Sequence, residues 1–195
     1  MVLGTVLVLA ALSLFLWNQE ESDEAGEVSE EVLTQVVEQI GKRNEAPQDD
    51  TQPLPDPYDE TMTEAEIDGY AYIGYLSIPE ISLELPVMSQ WDYTRLKIAP
   101  CRYVGSTKTG NLVICGHNYT RHLGPIKSLD PGDDVYFTDM DGEVWHYQVA
   151  TVETLGPTDI ESMTSGEYPL TLFTCTYGGA TRVTVRCDRV QEESA

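Results

Sequence analysis

The apolar positions of this chain fall into three textures. Positions 2–17 are apolar almost without a break and end in Trp17. From 28 to 41 apolar residues recur at helical spacing, as Val32/Leu33, Val36/Val37 and Ile40. Ser29 can cap that segment, Val28 can staple against Leu33, and Gly41 is a natural stop, so a short helix over 29–40 is predicted. Segment 46–59 carries prolines at 47, 53, 55 and 57 and reads as an extended linker. Beyond Tyr70 the texture becomes short β-type runs separated by turn residues, at 72–78, 83–88, 111–115, 134–138, 144–155, 171–174 and 182–190. Asp141-Gly142, between two of these runs, signals a hairpin. Helical signals inside this region are weak, at 93–98 and 157–163. So many short strands in so short a segment predict an all-β barrel or sandwich, and a closed barrel removes the edges they would otherwise expose.

Sixteen apolar residues are slightly fewer than the roughly 17–25 of a spanning helix. The run lacks a basic flank, and Asn18-Gln19-Glu20-Glu21 follows it with no small-residue cleavage site. It reads as an uncleaved signal anchor, with a cleaved signal peptide as the competing reading; both place the remainder outside the cytoplasm. The chain divides accordingly into a membrane anchor at 1–17, an acidic linker at 18–69 that carries the short helix 29–40, a β-domain at 70–190 and a tail at 191–195.

Charge sharpens this division. Of the 33 acidic residues 17 lie within 18–69, against only Lys42 and Arg43, so that stretch carries −15 of the net −22. Such a segment is a solvated spacer that repels nucleic acid, which excludes a DNA or RNA partner. Cys101, Cys115, Cys175 and Cys187 form no CxxC pair and no metal-ligand pattern with the three histidines, so neither metal nor cofactor is expected.

Three residues stand apart chemically. Cys175 ends the run 171–174 and precedes Tyr177-Gly178-Gly179, a segment that must turn; a small buried hydrophobe is the plain alternative. Arg182 opens the returning strand, where alternation puts Arg182, Thr184 and Arg186 on one face and Val183 and Val185 on the other. A hairpin-like return brings Arg182 beside Cys175, where a guanidinium favours thiolate and donates to an oxyanion; a solvated surface arginine is the alternative. His117 follows Gly116 at the end of an apolar run, so its imidazole projects from a strand end. His122, in a polar loop, and His146, in mid-strand, read as structural.

These residues resemble a known family. Thr171-Leu172-Phe173-Thr174-Cys175, with Arg182 seven positions on, is similar to the TLxTC…R signature of sortases. Gly116-His117-Asn118 resembles their histidine motif, the segments 74–81 and 85–87 resemble their opening strands, and Leu129-Asp130-Pro131-Gly132-Asp133 their L-x-x-G-D turn. The resemblance spans about 70–190. It implies a closed eight-stranded barrel and a cysteine transpeptidase that cleaves an LPxTG-like motif of surface proteins between Thr and Gly. The thioester on Cys175 would pass to an amine of a cell-wall precursor or a pilin lysine. It casts His117 as acid and base, Arg182 as oxyanion donor with Arg186 the second candidate, and Thr174 as a substrate-side residue that orients Cys175 or Arg182. The short 153–170 segment speaks against class B. Asp56-Pro57-Tyr58 is similar to the lid of pilus-building class C enzymes, with a linker turn as the alternative. Because Cys175 must stay free, no disulfide is expected. A thiol hydrolase and a catalytically silent sortase-like binding module are the competing functions.

Overall fold

The computed structural model describes residues 2–45, 61–165 and 167–191. Helix α1, Val2–Glu45, is followed by β1 Ala65–Ile67, β2 Tyr70–Ile78, β3 Leu83–Met88, β4 Cys101–Val104 and β5 Leu112–Gly116. Then come β6 Asp134–Asp139, β7 Val144–Leu155, the one-turn helix α2 Ile160–Met163, β8 Leu170–Cys175 and β9 Arg182–Arg189. Eight strands close on themselves in the order β2-β3-β4-β5-β8-β9-β7-β6, with β6 returning to β2. β3–β4 and β5–β8 pair parallel and the other barrel pairs antiparallel. The barrel is therefore closed and eight-stranded, as the family resemblance implies, and its strand pairing is mixed. β1 adds a three-residue strand on the outside of β2.

The two-residue period sorts each strand into two cores. Leu112, Ile114, Leu170, Leu172 and Val185 fill the lumen with Leu76, Phe137 and Tyr147. Val113, Cys115 and Phe173 point outward, where they meet Tyr72, Met88 and Ala99 and the α1 residues Val32, Val36 and Ile40. Each fully buried aliphatic or aromatic side chain contributes roughly 1.5–3 kcal/mol. This outer core matters for function, because it carries the chemistry described below.

Helix α1 is 44 residues long, not the short segment expected over 29–40, and most of the expected acidic linker is helical. Its barrel-facing side is Ser22, Ala25, Gly26, Ser29, Val32, Val36 and Ile40, buried at helical spacing. The upper half of that stripe is small rather than apolar, so no hydrophobic period marks it. Glu20, Glu24, Glu27, Glu31 and Glu38 are exposed away from that stripe, where Glu is a good helix former. Gly41 does not end the helix, which continues to Glu45 past an i,i+4 pair of Glu38 with Lys42 at 2.6 Å. Residues 4–17 are exposed. Among the described residues no helix is long and apolar enough to cross a membrane.

Candidate active site

Parity places the chemistry on the outside of the barrel. Immediately after β5, His117 continues the outward series Val113 and Cys115; in β8, Cys175 continues from Phe173. Cys175 is the register partner of Arg182, and opposed residues of an antiparallel pair share a face. His117, Cys175 and Arg182 consequently line one cavity of about 230 Å³. Its walls come from segments far apart in sequence: Trp91, Tyr93 and Leu96 between β3 and β4, Tyr103 of β4, and Pro157, Ile160 and Met163 between β7 and β8. The aromatic wall is continuous, with Trp91 and Tyr103 ring centroids 5.3 Å apart and Tyr103 meeting Phe173 edge-on at 5.4 Å.

The turn between Cys175 and Arg182 is closed tightly. Thr176 N–H donates to the Thr181 carbonyl at 3.0 Å, and Thr181 N–H donates to Thr176 Oγ1 at 3.1 Å. Gly178 and Gly179 have φ of +78° and +73°, left-handed conformations that suit glycine and let the loop reverse. Arg182 Nη1 donates to the carbonyls of Gly179 and Thr181 at 3.0 and 3.1 Å, which fixes the guanidinium on that turn. Among the described hydrogen bonds its Nε and Nη2 are uncommitted.

Half-buried Cys175 contrasts with the other three thiols. All four cysteines are unpaired, and Cys101, Cys115 and Cys187 are buried. Burial pushes Cys115 and Cys187 up to about 12 and raises Cys101 as well, so at neutral pH they are inert thiols. His117 is held below an ordinary histidine, first by burial, with Glu21 raising it and Lys97 lowering it further.

Other expected residues take different places. Thr174 is 2% exposed and does not line the cavity: register pairs it with lumen-facing Val183. Its hydroxyl donates to the Gly116 carbonyl at 2.9 Å, so it ties β8 to the strand end before His117. Arg186, the second candidate for the arginine role, is fully engaged elsewhere. It bonds to Glu153 (2.9 Å), to the Met163 and Ser162 carbonyls (3.1 and 2.7 Å) and to Thr171 Oγ1 (3.1 Å). His122 is wholly buried, with Nε2 3.4 Å from Ser29 Oγ; His146 pairs with Asp134 at 2.8 Å on the β6–β7 hairpin. Neither lines the cavity. Asp56 and Tyr58 lie outside the described residues. No group of His, Cys, Asp and Glu that would hold a metal occurs among the described residues. Sequence reasoning missed the aromatic wall, for which the signal was Trp91 and Tyr93 standing one residue apart in an otherwise polar stretch.

Comparison with known proteins gives the following. The profile of a family described as "Sortase domain" matches residues 76–190. A curated relative, Sortase A of Bacillus anthracis, is 31% identical over 121 residues, 58% of this chain and 57% of the relative, so the chain spans little more than half of that relative's length. Among solved structures, sortase C1 of Streptococcus agalactiae is 26% identical with a TM-score of 0.55, covering 66% of this chain and 72% of that one. Sortase A of Corynebacterium diphtheriae shares the fold at 22% identity and a TM-score of 0.57, covering 94% of this chain and 97% of that one.

Proposed function

The chain belongs to the sortase family, and from that premise we propose that it is a cysteine transpeptidase that cuts an LPxTG-like sorting motif of surface proteins and joins the severed end to an amine. The observation that carries this reading is the convergence of Cys175, His117 and Arg182 on one apolar-walled cavity. A binding module has no need of that set.

Each residue type answers a step. Cys175 thiolate attacks the carbonyl carbon of the motif's Thr, and the oxygen takes up negative charge. Arg182, steadied on its turn, donates to that oxyanion. His117 as imidazolium gives a proton to the glycine amine, the C–N bond breaks and a thioester on Cys175 remains. An incoming amine then attacks the thioester, neutral His117 accepts its proton, and the thiolate leaves. One amide is broken and one is made. Burial lowers the His117 pKa, which favours the neutral base of the second half-reaction over the imidazolium of the first. Trp91, Tyr103, Ile160 and Met163 offer apolar surface for the uncharged part of the motif and exclude water from the thioester.

The physiological acceptor in this proposal is an amine of a cell-wall precursor or a pilin lysine. The apolar run from Val6 to Trp17, 55% and 69% exposed at its ends, would hold the domain at the outer membrane surface. The test supplies the chain with an LPxTG peptide, with and without a glycine-based amine, and follows products by mass. Ligated product that vanishes in Cys175→Ala supports transfer; hydrolysed peptide alone, at any amine concentration, identifies a thiol hydrolase instead.

A further inference from the structure

Helix α1 grips the active-site loops at several points. Glu21 pairs with Lys97 at 3.1 Å, and Ser29 Oγ donates to the Ile98 carbonyl at 2.8 Å. Glu30 pairs with Arg121 at 2.9 Å. Gly26 allows this approach, because a Cβ there would meet Arg121 Nε at 2.4 Å. The helix thus clasps both the stretch after Trp91 and the loop that follows His117. In that loop Tyr119 is 9% exposed, and its ring stacks on the His117 imidazole with centroids 4.7 Å apart and planes 22° from parallel. Ser22, the neighbour of Glu21 on α1, lines one cavity of about 210 Å³ together with Tyr119, and the Tyr119 phenol is raised above its ordinary value by burial first and by Glu21 second.

We propose that Glu21 and Tyr119 are positioning residues of the active site: α1 supplies a carboxylate that holds the Tyr119 ring against His117, which makes the N-terminal helix part of the catalytic apparatus. This inference rests on the function proposed above and deepens it. A face-on aromatic ring fixes the imidazole plane and favours its cation, and an anion one residue further out reinforces that preference. The charged and titratable groups facing His117 are Glu21 from α1, Lys97 from the stretch between β3 and β4, Tyr119 and His122 from its own loop, Cys175 from β8 and Arg182 from β9. Glu21 is the one carboxylate in that set, and it stands against two fixed cations. Its pairing with Lys97 neutralises one of those cations and fixes the carboxylate beside the active-site loops.

The test follows the His117 ring by NMR across pH in the full chain, alongside steady-state acylation by a sorting peptide. Glu21→Gln is half-exposed and leaves the fold intact; it lowers the His117 midpoint by about half a pH unit or more, because a favourable anion is lost. Tyr119→Ala lowers kcat for acylation about tenfold at unchanged KM, and Tyr119→Phe, which keeps the stack, restores most of it. Glu24→Gln, on the solvent side of α1, changes neither reading. An unchanged His117 midpoint in Glu21→Gln together with unchanged kcat in Tyr119→Ala overturns the proposal. If the wild-type chain forms no thioester with any sorting peptide, the proposed function fails, while the titration still decides whether α1 governs His117.

Discussion

At Thr174 a single hydroxyl joins two strands directly beneath the active site. Replacing it with Val keeps the volume but leaves the Gly116 carbonyl buried without its donor, at a cost of roughly 1–3 kcal/mol. Urea unfolding should show that loss, and acylation should slow because the strand end that carries His117 is released. Arg186 acts on the opposite wall. Its guanidinium holds the Ser162 and Met163 carbonyls, and Met163 lines the cavity. Arg186→Met strands those acceptors and Glu153, so stability should fall by about 2–4 kcal/mol and peptide KM should rise more than kcat falls. Had Arg186 been the oxyanion donor, kcat would collapse instead. His122 gives a pH signature. Burial holds it at about 4, whereas an unfolded histidine titrates near 6.5. As pH falls below about 6.5 the unfolded chain takes up this proton first. Stability is therefore lost between about 6.5 and 4, by roughly 2–3 kcal/mol in all. Comparing unfolding at pH 7 and pH 4.5 in wild type and His122→Gln checks this, because the variant should lack that part of the acid sensitivity.

At the scale of elements, the strands were legible wherever alternation ran for five residues or more, and the hairpin at Asp141-Gly142 joins β6 to β7 as its residues dictate. β1 and β4 were not legible. They have three and four residues, too few to set a period, and β4 includes Arg102. The half of α1 built on Ser22, Ala25, Gly26 and Ser29 escaped for a different reason: close approach selects small side chains, and small side chains write no hydrophobic stripe. The same contrast governs the site. Cys175, His117 and Arg182 follow from parity on adjacent strands, which a sequence displays. The aromatic wall and the Glu21–Tyr119 contact depend on loops and a helix meeting across the outer face, which it does not. Val36, wholly buried between α1 and the barrel, tests how tightly that helix is bound. Val36→Asp places a charge in the outer core and should undock α1, seen as accelerated amide exchange from 22 to 40 while barrel strands stay protected. If Glu21 acts as inferred, acylation slows in the same variant although the substitution lies fifteen residues away from it.

The whole molecule is an acidic particle with an apolar end. Of its net charge of −22, −15 falls within residues 18–69, and the exposed apolar residues gather at the beginning of α1. Glu21 lies four residues beyond Trp17, about 6 Å along the helix axis. The site therefore sits at the foot of the apolar run, where a membrane-held client and a membrane-held acceptor would both be near. The central claim, that Cys175 carries the client as a thioester, is tested most directly by intact mass. The full chain is mixed with an LPxTG peptide in the absence of amine, quenched in acid and weighed. The account predicts an adduct equal to the peptide up to its Thr, mapped to Cys175, discharged by added amine and absent from Cys175→Ala. An adduct on another cysteine, or peptide cleavage that persists in Cys175→Ala, would contradict it.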